Sequence, residues 1–170
     1  MKDTYHPRIG VLTSLRAEGS NFQYVANFGL HVCQLCCWSP ELYSPALARA
    51  VAKEAKEAQV QVTSLWAGWP GPGVWDLVDG PSTLGIVPRE YREMRVEALK
   101  KGGEFAQQAG LPAVVTHLGF IPENASDALF AEVVEAVRDL ALFYQSLGLE
   151  FWFETGQETP ISLKRIITDT

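Results

Sequence analysis

Residues 111–154 read LPAVVTHLGFIPENASDALFAEVVEAVRDLALFYQSLGLEFWFE. The runs Ala113–Phe120 and Glu150–Glu154 are rich in β-branched or aromatic residues, and each predicts a short strand. Between them, Ser126–Leu147 predicts a helix, because Ser126 can cap its N-terminus and Gly148 follows its last residue. Strand, helix and strand in this order, without a hairpin turn, predict two parallel strands with a helix packed outside them.

The same alternation extends toward the N-terminus. Further strands are predicted at Arg8–Leu15, Val32–Trp38 and Val60–Trp66, and further helices at Asn21–Gly29, Ser44–Ala58 and Val87–Ala109. The fold class is therefore α/β, with parallel strands buried on both faces. An open doubly wound sheet and a closed eightfold barrel both fit this pattern. The first strand lacks the Gly-rich turn that follows it in dinucleotide-binding sheets, which disfavours the open nucleotide-binding sheet.

The segment Ala67–Ile86 is rich in Gly and Pro and separates the third strand from the following helix. About 20 residues without regular structure are uncommon inside a domain and usually have a function. Two interpretations stay open. The segment is either a lid or rim over the carboxyl ends of the strands, or a packed loop whose Trp69 and Trp75 cover the core.

Composition excludes several classes of protein. The 170 residues are 47% hydrophobic, which suffices for a buried core, and carry a formal net charge of −6. No run of Lys or Arg interrupts this negative charge, so we expect no nucleic-acid partner. The polar start Met1–Arg8 does not resemble a signal peptide, and no segment approaches the roughly 20 apolar residues that span a bilayer. We expect one domain over residues 1–170, located in the cytoplasm and without membrane contact.

Three cysteines, Cys33, Cys36 and Cys37, lie in one apolar run. A redox pair or a soft-metal site is one interpretation, but a zinc site needs four ligands and the nearby candidate is His31 alone. Thiols that serve as small buried residues of a strand are the favoured interpretation.

The chemistry is expected at the carboxyl ends of the strands, where ligands bind in both α/β architectures. Glu154 follows three aromatic residues, and a carboxylate there is costly to desolvate unless it meets a cation, a proton or hydrogen-bond donors. Glu154 could bind a divalent metal and remove a proton from the carbon next to a sugar carbonyl, while the metal stabilises the enediolate. The alternative is a structural glutamate in a cap or salt bridge.

Four further residues are candidates for substrate binding. His117 ends the neighbouring strand and should share a cavity with Glu154, unless it is a structural histidine. Gln157 and Glu158 could form hydrogen bonds with a polyol, although Glu158 also suits the start of a helix, where its charge favours the dipole. Trp38, at the end of the second strand, could offer an apolar face to a sugar ring.

Three stretches carry a resemblance to a known family: GPSTLGIVPREYREMRVEALKKG (80–102), PAVVTHLGFIPEN (112–124) and LEFWFETGQETP (149–160). They resemble the sugar phosphate isomerase/epimerase family, whose fold is the xylose-isomerase-like TIM barrel. The resemblance implies that Glu154 is a metal ligand and catalytic base and that His117 lines the pocket. A full barrel needs about 250 residues. The resemblance therefore implies a barrel truncated to about five β/α units, without the Asp, His and second Glu that complete a site for Mn, Mg, Zn or Co.

The first functional prediction is thus a sugar or sugar phosphate isomerase or epimerase that transfers a proton through an enediolate with metal assistance. The alternative is a non-catalytic half-barrel. Unpaired strand edges predict that the chain forms a homo-oligomer in either case. One carboxylate and one imidazole fall short of the usual three ligands, so the chain alone should bind a metal weakly or not at all. An endonuclease IV-like DNA-repair enzyme shares this barrel, but the net charge of −6 disfavours it.

Overall fold

The computed structural model describes residues 8–170 and contains a five-stranded sheet. Its strands are β1 (Val11–Ser14), β2 (Val32–Cys37), β3 (Gln61–Ala67), β4 (Ala113–His117) and β5 (Glu150–Glu154). They lie in chain order, and each strand is parallel to the next. A doubly wound sheet reverses its strand order at a switch point, whereas a barrel does not. The order therefore identifies five consecutive units of a TIM barrel.

Helices follow the strands in turn. They are α1 (Phe22–Asn27), α2 (Pro45–Glu57), α3 (Gly80–Thr83), α4 (Arg89–Gln108), α5 (Ala128–Ser146) and α6 (Pro160–Asp169), with a 3-10 turn at Pro40–Leu42. Within residues 8–170, no helix combines the length and the apolar character that crossing a membrane requires.

The N-cap of α5 differs from the prediction by one residue. The carboxylate of Asp127, and not the hydroxyl of Ser126, accepts the N–H of Leu129 at 2.8 Å. Ser126 instead donates its backbone N–H to the side chain of Asn124 at 3.0 Å. This local turn before the helix occupies Ser126 and moves the cap one position along the chain.

The main core lies between the sheet and the outer helices. All five residues of β4 are buried, as expected for a central barrel strand. The edge strands differ from the prediction, because along β5 the residues Glu150, Trp152 and Glu154 are exposed while the intervening Phe151 and Phe153 pack on the core. No strand of the described chain pairs with the outer edge of β5, and the exposure of Glu150, Trp152 and Glu154 shows that its inner face is uncovered.

The cysteines support the packing interpretation. Cys33 and Cys37 are buried and Cys36 is half-buried, and none of the three forms a disulfide. Burial raises the pKa of the Cys33 and Cys36 thiols to about 11, so both stay protonated at neutral pH. A thiol of this kind is a poor nucleophile and a poor metal ligand.

Helices α4 and α5 approach closely because Gly103 has no side chain. The ring of Tyr144 fills the space next to it, and the Tyr144 hydroxyl donates to the carbonyl of Leu99 at 2.8 Å. A Cβ at position 103 would lie 2.5 Å from Cε1 of this ring, which is fully buried. The adjacent Gly102 is different, since a Cβ there would lie 3.4 Å or more from any neighbour.

We predict opposite effects for alanine at these two neighbouring positions. Gly103→Ala should lower the free energy of unfolding by about 1–3 kcal/mol, because the Tyr144 ring cannot move without losing its hydrogen bond. Gly102→Ala should leave stability unchanged or raise it by roughly 0.5–1 kcal/mol through helix propensity. Urea unfolding followed by circular dichroism measures both variants, and equal effects would contradict this account of the α4–α5 contact.

Candidate functional site

Glu154 and His117 end the neighbouring strands β5 and β4, and the register of the sheet pairs them directly. Paired residues of adjacent parallel strands point to the same face of a sheet. Both side chains therefore face the inner side of the barrel arc, whereas the shared cavity expected from the sequence stays a prediction. His117 is buried and Glu154 is exposed.

His117 presents an unused hydrogen-bond donor to the site. The backbone N–H of Gly119 donates to Nδ1 of His117 at 3.0 Å, so the proton of the neutral ring is on Nε2. Nε2 is buried and has no hydrogen-bond partner among residues 8–170. Burial lowers the pKa of His117 below its usual value of 6.5, and the nearby Glu158, Gln157 and Glu154 only partly oppose this effect. The ring is therefore neutral at pH 7.

Gln157 and Glu158 lie beside the same ring. Oε1 of Gln157 and both carboxylate oxygens of Glu158 are buried and have no hydrogen-bond partner in the described part of the chain. Buried polar atoms are rarely left unpaired in folded proteins. Together with Nε2 of His117, these atoms form a polar cluster: Gln157 lies close enough to the ring to raise the pKa of His117, but no bond within the cluster has the geometry of a hydrogen bond, so its atoms are able to bind a polar ligand.

Glu158 does not cap the helix that follows it. The N-cap of α6 is Thr159, whose hydroxyl accepts the N–H of Ser162. Glu123, in the loop after β4, accepts hydrogen bonds from the hydroxyls of Thr159 at 2.9 Å and Ser162 at 2.8 Å. These bonds lower the pKa of Glu123. The carboxylate that accepts hydrogen bonds from the first turn of α6 is therefore Glu123, whereas the charge of Glu158 lies close enough to His117 to raise its pKa.

Trp66 of β3 is a site residue that the sequence analysis did not identify. Its indole N–H donates to a carboxylate oxygen of Glu154. Trp66 pairs with Val115, and Val115 pairs with Trp152, so the indole reaches across β4 to the end of β5. This hydrogen bond orients the Glu154 carboxylate on the inner face of the sheet.

Four tryptophans form an aromatic wall next to this polar cluster. Its members are Trp38, Trp66, Trp69 and Trp75. The ring centroids of Trp38 and Trp66 are 4.5 Å apart, those of Trp69 and Trp75 are 6.1 Å apart, and the edge contact of Trp75 with His117 measures 5.2 Å. Trp38 thus lies at the site, but its link to the Glu154 carboxylate is indirect, since Trp38 packs on Trp66 and Trp66 donates the hydrogen bond to Glu154. Trp38 and Trp75 are each 49% exposed and offer aromatic surface to a ligand.

The loop between β3 and α4 carries Trp69 and Trp75, and Arg95 of α4 holds it in place. The Arg95 guanidinium donates at 2.6–3.1 Å to the carbonyls of Pro70, Pro72, Thr83 and Gly85. Its carbon also lies 4.7 Å from the ring centroid of Tyr91 and 5.5 Å from that of Trp69. Arg95 is completely buried, which lowers its pKa to about 10, so the side chain remains charged at neutral pH.

Each of the two interpretations of this loop describes part of it. Trp69 is 4% exposed and covers the small inner cluster with Trp66, Leu84 and Val115, as expected for a packed loop. Trp75 instead lies at the rim of the strand ends against His117.

The described residues do not form a metal site by themselves. Among residues 8–170, no three His, Cys, Asp or Glu side chains converge closely enough to hold an ion. Glu154 and His117 are adjacent donor groups, but catalytic metal sites usually have three protein ligands. The metal that the resemblance implies would therefore need ligands in addition to these.

Solved structures of other proteins match the fold. A xylose isomerase domain protein from Planctomyces limnophilus is 30% identical, with a TM-score of 0.88 over 96% of this chain and 60% of that chain. A D-tagatose 3-epimerase-like protein is 19% identical, with a TM-score of 0.65 over 95% of this chain and 61% of that chain. D-Psicose 3-epimerase from Clostridium cellulolyticum is 12% identical, with a TM-score of 0.63 over 96% and 60%.

The chain therefore spans about 60% of the length of the solved structures that it matches. The likeness to the latter two concerns the fold alone. No protein-family model matches the sequence, and no curated protein matches it significantly.

We predict that Arg95→Ala lowers the free energy of unfolding by at least about 2 kcal/mol, because buried carbonyls lose their donor. It should also shift tryptophan emission to longer wavelength as Trp69 becomes hydrated. The control is Arg89→Ala on the same helix, which removes an exposed ion pair with Glu132 and should cost no more than about 1 kcal/mol. Thermal and urea unfolding with fluorescence detection tests this, and similar small losses in both variants would contradict the assigned role of Arg95.

Proposed function

Since the chain has the fold of the first five β/α units of a xylose isomerase-like TIM barrel, we propose that it is a sugar isomerase or epimerase that acts on a neutral sugar. One observation carries the proposal. Glu154 lies in register with His117, whose Nε2 is buried without a partner, as are the side-chain oxygens of Gln157 and Glu158. A sugar has the hydroxyl and carbonyl groups that satisfy such a cluster.

In the proposed reaction, Glu154 is the general base. Its carboxylate removes a proton from the carbon next to the sugar carbonyl, and the Trp66 N–H keeps it oriented for this step. When Glu154 returns the proton to the adjacent carbon of the enediolate, the product is an isomer, whereas an epimer forms when an acid other than Glu154 protonates the same carbon from the opposite face. The divalent metal of the resembling family would be a further participant, and Glu154 is the ligand that we assign to it in this chain.

The other polar residues bind the sugar. The Nε2–H of His117 donates to a sugar oxygen and stabilises the negative charge that develops on the enediolate. The Gln157 amide and the Glu158 carboxylate accept hydrogen bonds from hydroxyl groups. The aromatic wall packs on the apolar face of the ring and excludes water from the cluster.

Charge favours a neutral sugar over a sugar phosphate. Phosphate groups are bound by Arg, Lys or the free N-terminus of a helix. Glu154, the polar cluster and the aromatic wall together contain two carboxylates and no Arg or Lys. The N-terminus of α6, which follows this cluster, is already engaged by the Glu123 carboxylate, and this charge would repel a phosphate.

Proton transfer can be tested by exchange in D₂O. Incubation with a panel of ketoses, with and without added Mn²⁺ or Mg²⁺, should incorporate deuterium at the carbon next to the carbonyl, as measured by proton NMR. Glu154→Gln should reduce the exchange rate by about 10²-fold or more. The matched control is Glu150→Gln, which alters the same strand and the same face at its opposite end. Exchange that is absent from the unaltered chain, or equally lost in both variants, would contradict the proposal.

A non-catalytic half-barrel that self-associates is the second candidate function, and the surface beside the β5 edge supports the self-association. A groove of about 480 Å³ runs along the β5 edge between α5 and α6. Its apolar lining includes Leu142, Phe151, Phe153 and Ile167, of which Leu142 is 59% and Ile167 is 56% exposed. An exposed apolar groove beside an unpaired strand edge is typical of a surface that another chain covers.

On this basis we predict that the chain self-associates through the groove at micromolar concentration. Ile167→Glu should shift sedimentation equilibrium toward the monomer, because it places a charge in the apolar contact. Ile161→Glu serves as the control, since Ile161 lies on the same helix and is 62% exposed but does not line the groove. A monomeric unaltered chain would contradict the prediction.

A further inference from the structure

The polar cluster has more hydrogen-bond acceptors than donors. Within residues 8–170, its four buried atoms without a partner are Nε2 of His117, Oε1 of Gln157 and both carboxylate oxygens of Glu158. Of these atoms, Nε2 alone carries a proton, since Nδ1 of the same ring accepts the N–H of Gly119. Carboxylate and amide oxygens can only accept. The group that satisfies this cluster best therefore brings several donors and few acceptors of its own.

Glu158 also lacks the cation that a buried carboxylate usually has. The carboxylate of Glu132, for comparison, pairs with Arg89 at 2.7 Å and with Arg92 at 2.8 Å. In the part of the chain that the structure describes, Glu158 forms no ion pair and accepts no hydrogen bond. Burying a carboxylate without a partner is unfavourable. A cationic ligand would therefore gain more at Glu158 than a neutral one.

The surroundings do not compensate this charge. Burial lowers the pKa of His117 and is the largest effect on it, whereas the charges of Glu158 and Glu154 act in the opposite direction. The ring therefore stays neutral at pH 7, although two carboxylates lie within electrostatic reach of it. The aromatic wall is favourable to a cation, because the face of an indole attracts positive charge. Its Trp75 contacts the ring of His117 at 5.2 Å and is 49% exposed.

The donor of His117 is accessible to a second group of the same ligand. Gly156 has no side chain, and a Cβ at this position would contact only Nε2 of His117, at 3.4 Å. The space beside Nε2 is therefore open because position 156 is a glycine. The Nε2–H suits an oxygen acceptor such as a hydroxyl group. A ligand that carries a donor-rich cation and a neighbouring hydroxyl group matches both parts of the cluster.

We propose that the polar cluster binds amino sugars and aminated polyols more tightly than neutral polyols, with the ammonium group on Glu158 and a neighbouring hydroxyl group on Nε2 of His117. An ammonium group has three donors and no acceptor, which matches the excess of acceptors. The inference goes beyond the proposed function, which concerns neutral sugars, and it does not depend on proton transfer. An amino sugar would occupy the cluster and compete with the neutral sugar.

The test compares three polyols with the same carbon skeleton by isothermal titration calorimetry on the full chain at pH 7, in a buffer free of amines. At one terminal carbon, D-glucamine carries an ammonium group, D-glucitol a hydroxyl group and D-gluconate a carboxylate. None is an aldose or a ketose, so binding is measured apart from catalysis. D-Glucamine should bind at least about tenfold more tightly than D-glucitol, because hydrogen bonds to charged groups are the stronger ones. D-Gluconate should bind most weakly.

Two variants locate the ammonium and hydroxyl groups. Glu158→Gln keeps the shape of the side chain and removes its charge, so D-glucamine and D-glucitol should bind about equally. Its matched control is Glu150→Gln, which removes a carboxylate from β5 outside the cluster and should retain the preference. Gly156→Ala should weaken the binding of both polyols, because its Cβ takes up the space beside Nε2 of His117. Gly102→Ala on α4 is the control for that change.

The outcomes separate this inference from the proposed function. Equal affinities for D-glucamine and D-glucitol, a preference that persists in Glu158→Gln, or no binding of any polyol to a folded chain would contradict the ammonium site. The proposed function is decided separately by deuterium exchange on ketoses. A preference for D-glucamine that Glu158→Gln abolishes supports the inference even if no exchange occurs. Thermal unfolding of each variant shows whether the chain tested is folded.

Discussion

The buried guanidinium of Arg95 is the interaction on which the aromatic half of the site depends. The segment between β3 and α4 has little regular structure, so its carbonyls cannot be satisfied by a helix or a sheet. Arg95 supplies donors to four of them from one rigid position on α4. A lysine has one donor nitrogen and would not reach all four carbonyls, whereas the three nitrogens of the planar arginine guanidinium do. The loop therefore keeps one conformation, and Trp69 and Trp75 stay beside His117.

Much of the fold could be predicted because each of its longer strands and helices is indicated by the residues of its own segment. The run Ala113–Phe120 and the capped, apolar segment before Gly148 indicate a strand and a helix without any knowledge of the rest. The choice between a barrel and an open sheet depends on the order in which the strands associate. No single stretch of sequence contains that order. The short α3 and the turn at Pro40–Leu42 have too few residues to show the hydrophobic periodicity from which a helix is predicted. The exposed face of β5 depends on which elements lie beyond the strand, and a single strand does not contain that information.

Some residues of the site could likewise be predicted from the sequence, and others could not. Glu154 and His117 could be predicted because parallel strands bring their carboxyl ends to one edge. Trp66 could not, because an indole inside an apolar run looks like a core residue until the curvature of the sheet brings it to Glu154. Arg95 was missed for a similar reason, since an arginine within a helix usually faces solvent. The role of Glu158 depends on Glu123, which lies 35 positions earlier in the chain and takes the place at the start of α6.

The contact of Glu123 with Thr159 and Ser162 joins the loop after β4 to the first turn of the helix after β5. Loops at this end of a barrel are often regarded as exchangeable parts that diversify independently of one another. Here two successive loops share one set of hydrogen bonds, and each is incomplete without the other. They therefore form one structural module, and exchanging one segment without the other would leave the Glu123 carboxylate, or the Thr159 and Ser162 hydroxyls, without these partners.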